Sequence, residues 1–462
     1  MLRRFVILFA VALSPLSAQR GGGPGNPTAV AVQPPRFTWV GPDFGGRIAS
    51  VAGVPGDTTT YYFGAASGGI WKTTDGARTF TPIFDEQPVQ AIGALAVAQS
   101  NPRIVWAGTG EAWAIRDADV MGDGVYKSTD AGATWQNVGL KETGRIGKIV
   151  IHPTNPNIVY VCALGRATGP QRERGVFRTK DGGATWEHVL FVDEKTGCSG
   201  ISIDASDPKT LFAGTWEVVM HTWVMFSGGP GSGVYVSHDS GSTWKHLTGA
   251  GLPKSPVGKI DVAVAPSNSK RVYALIQTAD QGSLWRSDDG GAQWKVVSWD
   301  RTLIGRAGYY IRVDVNPQND LEVLVANSSF HRSLNGGETF PITGGGCGDC
   351  HDIWMDPRNP AHWVATGDGG AGITRNHGQS FTQFTLPIGQ MYHVAIDDRM
   401  PYWLYSNRQD NGTMRGPSNA PVPTPNIVMP PARGRGGAAD SGVVVLAGGA
   451  GGRGGRGGGG GG

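Results

Sequence analysis

Ser128-Thr129-Asp130-Ala131-Gly132-Ala133-Thr134-Trp135 is one of seven variants of a single octad in this chain. The others occupy residues 73–80, 179–186, 237–244, 287–294, 333–340 and 374–381, each reading Ser/Thr-x-Asp/Asn-x-Gly-x-x-Trp/Phe, with Ala77 in place of one glycine. The recurring acceptors are Asp75, Asp130, Asp181, Asp239, Asp289, Asn335 and Asn376. They are spaced by about 50 residues, a step in the range of propeller-blade repeats. The octad has the chemistry of a tight turn between strands. Its Asp or Asn side chain accepts nearby backbone N–H bonds, its glycine tolerates positive φ, and its closing aromatic packs into the sheet beneath. A short β-type run precedes it, as in Gly69-Ile70-Trp71-Lys72 and Gly124-Val125-Tyr126-Lys127, and a polar-apolar strand follows, as in Trp135-Gln136-Asn137-Val138. The octads are therefore read as hairpin turns whose acids are structural.

Outward from the octad, each unit has one grammar. The second unit shows it: a strand at 92–98, a turn at 99–102, a strand at 104–108, an excursion, a strand at 124–128, the octad and a last strand at 135–138. Pro-bearing turns recur, among them His152-Pro153-Thr154-Asn155-Pro156 and Asn316-Pro317-Gln318-Asn319. Four antiparallel strands per unit, repeated radially, predict an all-β fold: a β-propeller of seven four-stranded blades over residues 36–387. Residues 388–416 carry two strands of an eighth unit, 392–397 and 402–407, without its octad. A composition of 73 Gly, 30 Pro and 15 Trp, with only 17% charged residues, suits such a chain.

The ends have a different character. Residues 1–18 read as a secretory signal, with Arg3 and Arg4 before an apolar run and small residues up to Ala18. That apolar run is about nine residues, short of the roughly 20 a spanning helix needs, so the expectation is an exported protein with no membrane span. Residues 19–35 form a Gly/Pro-rich flexible linker, and residues 417–462 a disordered Pro/Gly/Arg-rich tail. Net charge is +3. Removing Arg3 and Arg4 with the signal, and setting aside the tail arginines, leaves a slightly acidic body with no basic stripe, which argues against nucleic acid as a partner.

With the repeat established, the chain resembles a known family. Asp-box (BNR) repeats occur in sialidases, in xyloglucan-cleaving glycoside hydrolases, in the Vps10 domain of sortilin receptors and in large secreted bacterial proteins. The chain looks most similar to the last group, from about Phe37 to Pro417. The segments that carry the likeness include Gly45-Gly46-Arg47-Ile48, Gly108-Thr109-Gly110-Glu111, Gly348-Asp349-Cys350-His351-Asp352 and Gln409-Asp410-Asn411-Gly412. The resemblance implies the propeller and leaves activity open, since one fold hosts hydrolases and receptors; Phe37–Val40 is a candidate closing strand for the last blade, depending on where the eighth unit goes. In the xyloglucan-cleaving relatives the first catalytic Asp lies just before the first Asp box. Ala66 stands at the matching place here, and the second acid of that chemistry belongs to a propeller absent from this chain. A sialidase site would need three Arg, a Tyr and a Glu. Arg47, Arg306, Arg312 and Tyr309 or Tyr310 supply residue types but no recognisable spacing.

Two clusters remain as candidate sites. Glu111, Trp113, Arg116 and Asp119 lie in the excursion 111–123, read as a rim site for sugar or peptide or else as a solvated loop. Asp349, His351 and Asp352 match the family motif and are placed near the channel mouth. Cys347 and Cys350 beside them suit a disulfide in an exported protein, or two ligands of a metal site that lacks a second Cys pair. Cys162 and Cys198 in consecutive units are the second candidate bridge, with two buried free thiols as the alternative. No metal or cofactor is expected. The resulting reading is an exported, non-catalytic binding module for peptide, protein or glycan. Its alternative is a glycoside hydrolase-like enzyme with a non-standard carboxylate pair.

Overall fold

Residues 46–111, 121–408, 412–418 and 427–428 are described in the structure, which is a computed structural model. Blade 1 consists of Ile48–Gly53, Tyr61–Ala65, Ile70–Thr73 and Thr79–Pro82, hydrogen-bonded in that order. Six further sheets repeat the order, with innermost strands Ile92–Val97, Ile146–Ile151, Thr196–Ile203, Ile260–Val264, Arg312–Val315 and Cys350–Met355. Each innermost strand packs on the next and the seventh packs on the first, so the seven blades close a ring. The seam is apolar: Ile48, Phe63 and Phe80 of blade 1 pack with Val364, Ile373 and Phe384 of blade 7. The Phe63 and Phe384 rings meet edge to face with centroids 4.9 Å apart, a favoured aromatic geometry. The predicted all-β propeller is what the chain forms.

Every octad joins the third and fourth strands of its blade, and its hydroxyl and acceptor bond in the same way each time. In blade 2, Ser128 Oγ donates to Asp130 Oδ1 and accepts from Gly132 N, both at 2.7 Å, while Thr134 donates both N–H and O–H to Asp130 (2.9 and 2.6 Å). Asn335 and Asn376 accept from Thr339 N and Ser380 N, both at 3.0 Å, and keep the pattern without charge. A second use of the octad is to hold neighbouring blades together. Lys72 Nζ reaches Ala131 O in the next octad (2.8 Å), Lys127 Nζ reaches Gly182 O (2.9 Å), Arg178 reaches Ser240 O, Arg286 reaches Gly336 O (3.0 Å) and Arg332 reaches His377 O (3.0 Å). Buried backbone carbonyls must find donors, and these cations supply them across the blade boundary.

The connections sort onto two faces. Turns between first and second strands and the octads occupy one face; excursions between second and third strands, and the crossings to the next blade, occupy the other. Blade 4 carries the largest excursion, where Leu211–His221 runs past its sheet and pairs with Val224–Ser227 as a projecting hairpin.

Three details differ from or extend the sequence reading. The eighth unit has a third strand, Thr413–Pro417, paired with Trp403–Arg408, which pairs with Met391–Ile396. That polar strand follows Gly412 (φ 72°) and carries little apolar signal. Within the stretch expected to be disordered, Ile427–Val428 instead pairs with Phe80 and Thr79 on the outer edge of blade 1. Two consecutive β-branched residues suit that open edge. Cys162–Cys198 is a disulfide tying blade 3 to blade 4, and Cys347–Cys350 is a second. Residues 1–45 and 429–462, hence the signal, the linker, Phe37–Val40 and most of the tail, lie outside the described residues. Among the described residues no helix is long and apolar enough to cross a membrane.

Candidate functional site

At the excursion face, the starts of the innermost strands and the ends of the second strands bring charged residues to the mouth of the channel. Arg47 immediately precedes the first strand of blade 1, and Glu111 follows the second strand of blade 2, Val105–Thr109. The two form a buried ion pair, with Glu111 fully enclosed. Arg47 also approaches Asp368 (Nε to Oδ1, 3.5 Å), which sits in the turn between Trp363–Gly367 and Gly370–Thr374 of blade 7. Asp368 in turn meets His351 Nε2 at 3.2 Å, while His351 Nδ1 donates to Ile48 O at 3.1 Å. Burial pushes the Asp368 carboxyl up, but the hydrogen bond from His351 and the charges of His351, Arg47 and Arg306 outweigh it, so Asp368 lies below the usual range and stays ionised.

Beside this buried chain lies an open half. Arg306 Nη1 bonds Asp349 Oδ1 and Tyr310 Oη, both at 3.0 Å, and the Tyr310 hydroxyl also donates to Asp349. Asp349 and Arg306 are 36% and 41% exposed in their side chains, so this edge faces solvent. Burial and the bond to Asp349 hold the Tyr310 phenol above its ordinary range, which keeps it a donor and not a nucleophilic phenolate. Arg47 lies over the Tyr309 ring at 4.8 Å, and Tyr309 and Tyr310 are 4.4 Å apart. Asp349 itself has φ 45° inside the Cys347–Cys350 disulfide loop. A β-bulge between Cys350 and Asp352 then aims His351 at the mouth and Asp352 down the channel.

The seven candidate residues therefore separate. Glu111, Asp349 and His351 converge at the mouth, with Glu111 enclosed at its base and not on an open rim. Asp352 lies inside the channel, paired with Arg312 (3.5 Å) and accepting Val51 N (3.0 Å). Trp113, Arg116 and Asp119 lie outside the described residues. Ala66 packs with Ala49, Tyr309 and Tyr310, so the position at which the resemblance expects an acid does face the mouth. Among the described residues no group of three or more His, Cys, Asp or Glu could hold a metal.

The sequence reading missed Asp368 as a member of the mouth, and Lys148, Asp261 and Asp314 as members of the channel. Asp368 looks like an ordinary turn acid in Gly367-Asp368-Gly369-Gly370. The others did leave a signal: each is a charge between apolar neighbours on an inner strand, as in Ile260-Asp261-Val262 and Val313-Asp314-Val315. On a strand buried by neighbouring blades, such a charge points to the channel.

No family model matches the chain. It is similar to a xyloglucanase of Hypocrea jecorina, 28% identical over 219 residues that make up 42% of this chain and 24% of that one. A xyloglucanase of a Paenibacillus species is 24% identical over 268 residues, 55% of this chain and 22% of that one. The chain thus spans about a quarter of the length of these curated relatives. Among solved structures, the GH74 xyloglucanase of Xanthomonas campestris superposes with a TM-score of 0.59 at 16% identity, covering 81% of this chain and 60% of that one. An ancestral GH74 enzyme gives 0.58 at 17% identity, covering 84% and 55%. At these identities the structural likeness speaks for the propeller fold.

Proposed function

We propose that the protein is an exported, glycoside hydrolase-like propeller that engages a polysaccharide across its excursion-side mouth, with xyloglucan-type glucans as the first substrate class. The observation that carries this reading is the open Arg306–Tyr310–Asp349 edge set on the enclosed Arg47–Glu111–Asp368–His351 chain. Ionised carboxylates and charged donors match the hydroxyls of a sugar, and aromatic faces match its C–H face. The blade 4 hairpin adds such faces. Trp223 is 80% exposed and stacked on His221 at 5.1 Å, and Phe226 is exposed beside them. Met225 of this hairpin abuts Gly308, next to Tyr309, so the aromatic tip borders the mouth. Trp113, Arg116 and Asp119, which follow Glu111 in the chain, stay proposed ligand contacts on their residue types alone.

Whether the bound glycan is cleaved is a separate question. Hydrolysis requires an acid kept protonated near a second carboxylate. Ala66 in the mouth and the ionised Asp368 favour binding without cleavage as the second reading. The test is to pass the purified protein over immobilised xyloglucan, other β-glucans and unrelated polysaccharides while assaying release of reducing ends. Retention that weakens in Trp223→Ala and Asp349→Ala supports the glycan reading. Release of reducing ends assigns hydrolysis, and retention without release assigns a binding module. No retention on any polysaccharide overturns both.

A further inference from the structure

The opposite end of the channel holds a second, chemically different cluster. A cavity of about 250 Å³ opens between the innermost strands, with apolar walls that include Leu95, Val97, Ile149 and Ile353. Charged residues from separate blades enter it: Lys148 from blade 3, Arg312 and Asp314 from blade 6, and Asp352 from blade 7, with Asp261 of blade 5 behind Lys148. All but one are satisfied within the protein. Lys148 Nζ meets Asp261 Oδ1 at 3.5 Å, and the other Asp261 oxygen accepts Val313 N at 3.0 Å. Arg312 meets Asp352 at 3.5 Å and donates to Gly147 O, and Asp352 accepts Val51 N. Among the described residues no hydrogen bond or ion pair reaches the Asp314 carboxylate, which lines the cavity half-buried.

Asp261 and Asp352 each have a cation beside them, and buried Lys259, which also interacts with Asp261 and Arg312, is held towards the mouth by Tyr309 O, so Asp314 is the carboxylate left without a cation in contact among the described residues. An unpaired carboxylate there costs free energy unless something supplies a counter-charge. A hydrated divalent metal suits the place poorly, because Lys148 and Arg312 oppose it. A single positive charge with several N–H donors and a slim aliphatic stem would meet both features, the charge and the apolar walls. We propose that this end of the channel is a binding site for a primary alkylammonium group, with Asp314 as its counter-ion. The inference is independent of the glycan reading, because it uses none of the mouth residues.

The chemistry sets a pH signature. Burial pushes the free Asp314 carboxyl up to about 7; the Asp261 and Asp352 charges push the same way, and Lys148 and Arg312 pull against them. A proton and an ammonium ion then compete for the same oxygens, so affinity rises about tenfold from pH 6 to pH 8. Titration calorimetry of the whole protein with cadaverine at pH 6, 7 and 8 reads this directly, with 1-pentanol as the neutral control. N-acetyl-lysine amide is a parallel arm: binding of cadaverine alone assigns a free amine, and binding of both assigns a site that also takes a lysine side chain. Asp314→Asn is expected to lose affinity at least tenfold and to flatten the pH dependence. The proposal is overturned by no saturable heat with either amine at pH 8, by equal affinity at pH 6 and 8, by equal binding of 1-pentanol, or by unchanged affinity in a folded Asp314→Asn. Should that variant fail to fold, the wild-type pH profile and the alcohol control still decide.

Discussion

Asp130, Asp181 and Asp239 have carboxyls pulled down to about 2, chiefly by the hydroxyls of Thr134, Thr185 and Thr243 and by the backbone N–H of the same residues. Asp75 and Asp289 are lowered as well; burial works against the shift at Asp75, and its bonds to Thr79 and Thr73 outweigh it. Because the folded values lie below the unfolded ones, the stability these turns contribute is complete above about pH 4 and is lost as pH falls towards 2. Denaturant midpoints measured from pH 4 to pH 2 should fall as these turns take up protons. Replacing Asp130, Asp181 and Asp239 by Asn should shrink that acid loss, since Asn335 and Asn376 already run the same turn without titrating. At the mouth the expected effect is larger. Glu111→Ala takes an ion-pair partner from buried Arg47, with Asp368 3.5 Å away, and should cost roughly 3 kcal/mol by denaturant titration.

The strand–octad hairpin was the most legible element, because its signal is local: a hydroxyl, an acceptor, a glycine and an aromatic within eight residues. Its role between blades was also written in the chain and went unread. The residue just before the octad is Lys72, Lys127, Arg178, Arg286 or Arg332 in five blades, and in each it caps a carbonyl of the next octad. Blade 4 has Val236 at that place and blade 7 has Ile373, with Arg375 reaching Thr58 O at the closing seam instead. Arg286→Met should therefore destabilise by about 1.5–3 kcal/mol, the range for a bond with a charged partner. Arg332→Met should cost more, because it also takes the guanidinium away from buried Glu322, 2.7 Å distant. Chemical denaturation of the two variants side by side checks the order. The mouth was legible only in part for the opposite reason. Glu111 and His351 lie in recognisable segments, whereas Asp368 and Arg47 come together only because blade 7 docks on blade 1.

At the scale of the whole ring, the repeat count read from the sequence and the seven closed blades agree, because blade number depends on copies of a local unit and on little else. Closure depends on the seam. Phe384→Ala removes the ring that touches both Phe63 and Phe80 and should cost about 3–5 kcal/mol, seen as a lower thermal midpoint and faster proteolysis between blades 1 and 7. The seam has a further property. Blade 1 takes its four principal strands from residues 48–82 and blade 7 takes its four from residues 350–384, so among the described residues neither blade borrows one of these strands from the other. The circle is thus held like a bracelet by a clasp, with no link threaded through. Pulled from residues 48 and 384 in a force spectrometer, it should first spring open at the clasp at low force without losing a blade, and only then give a train of rips as blades tear out one at a time.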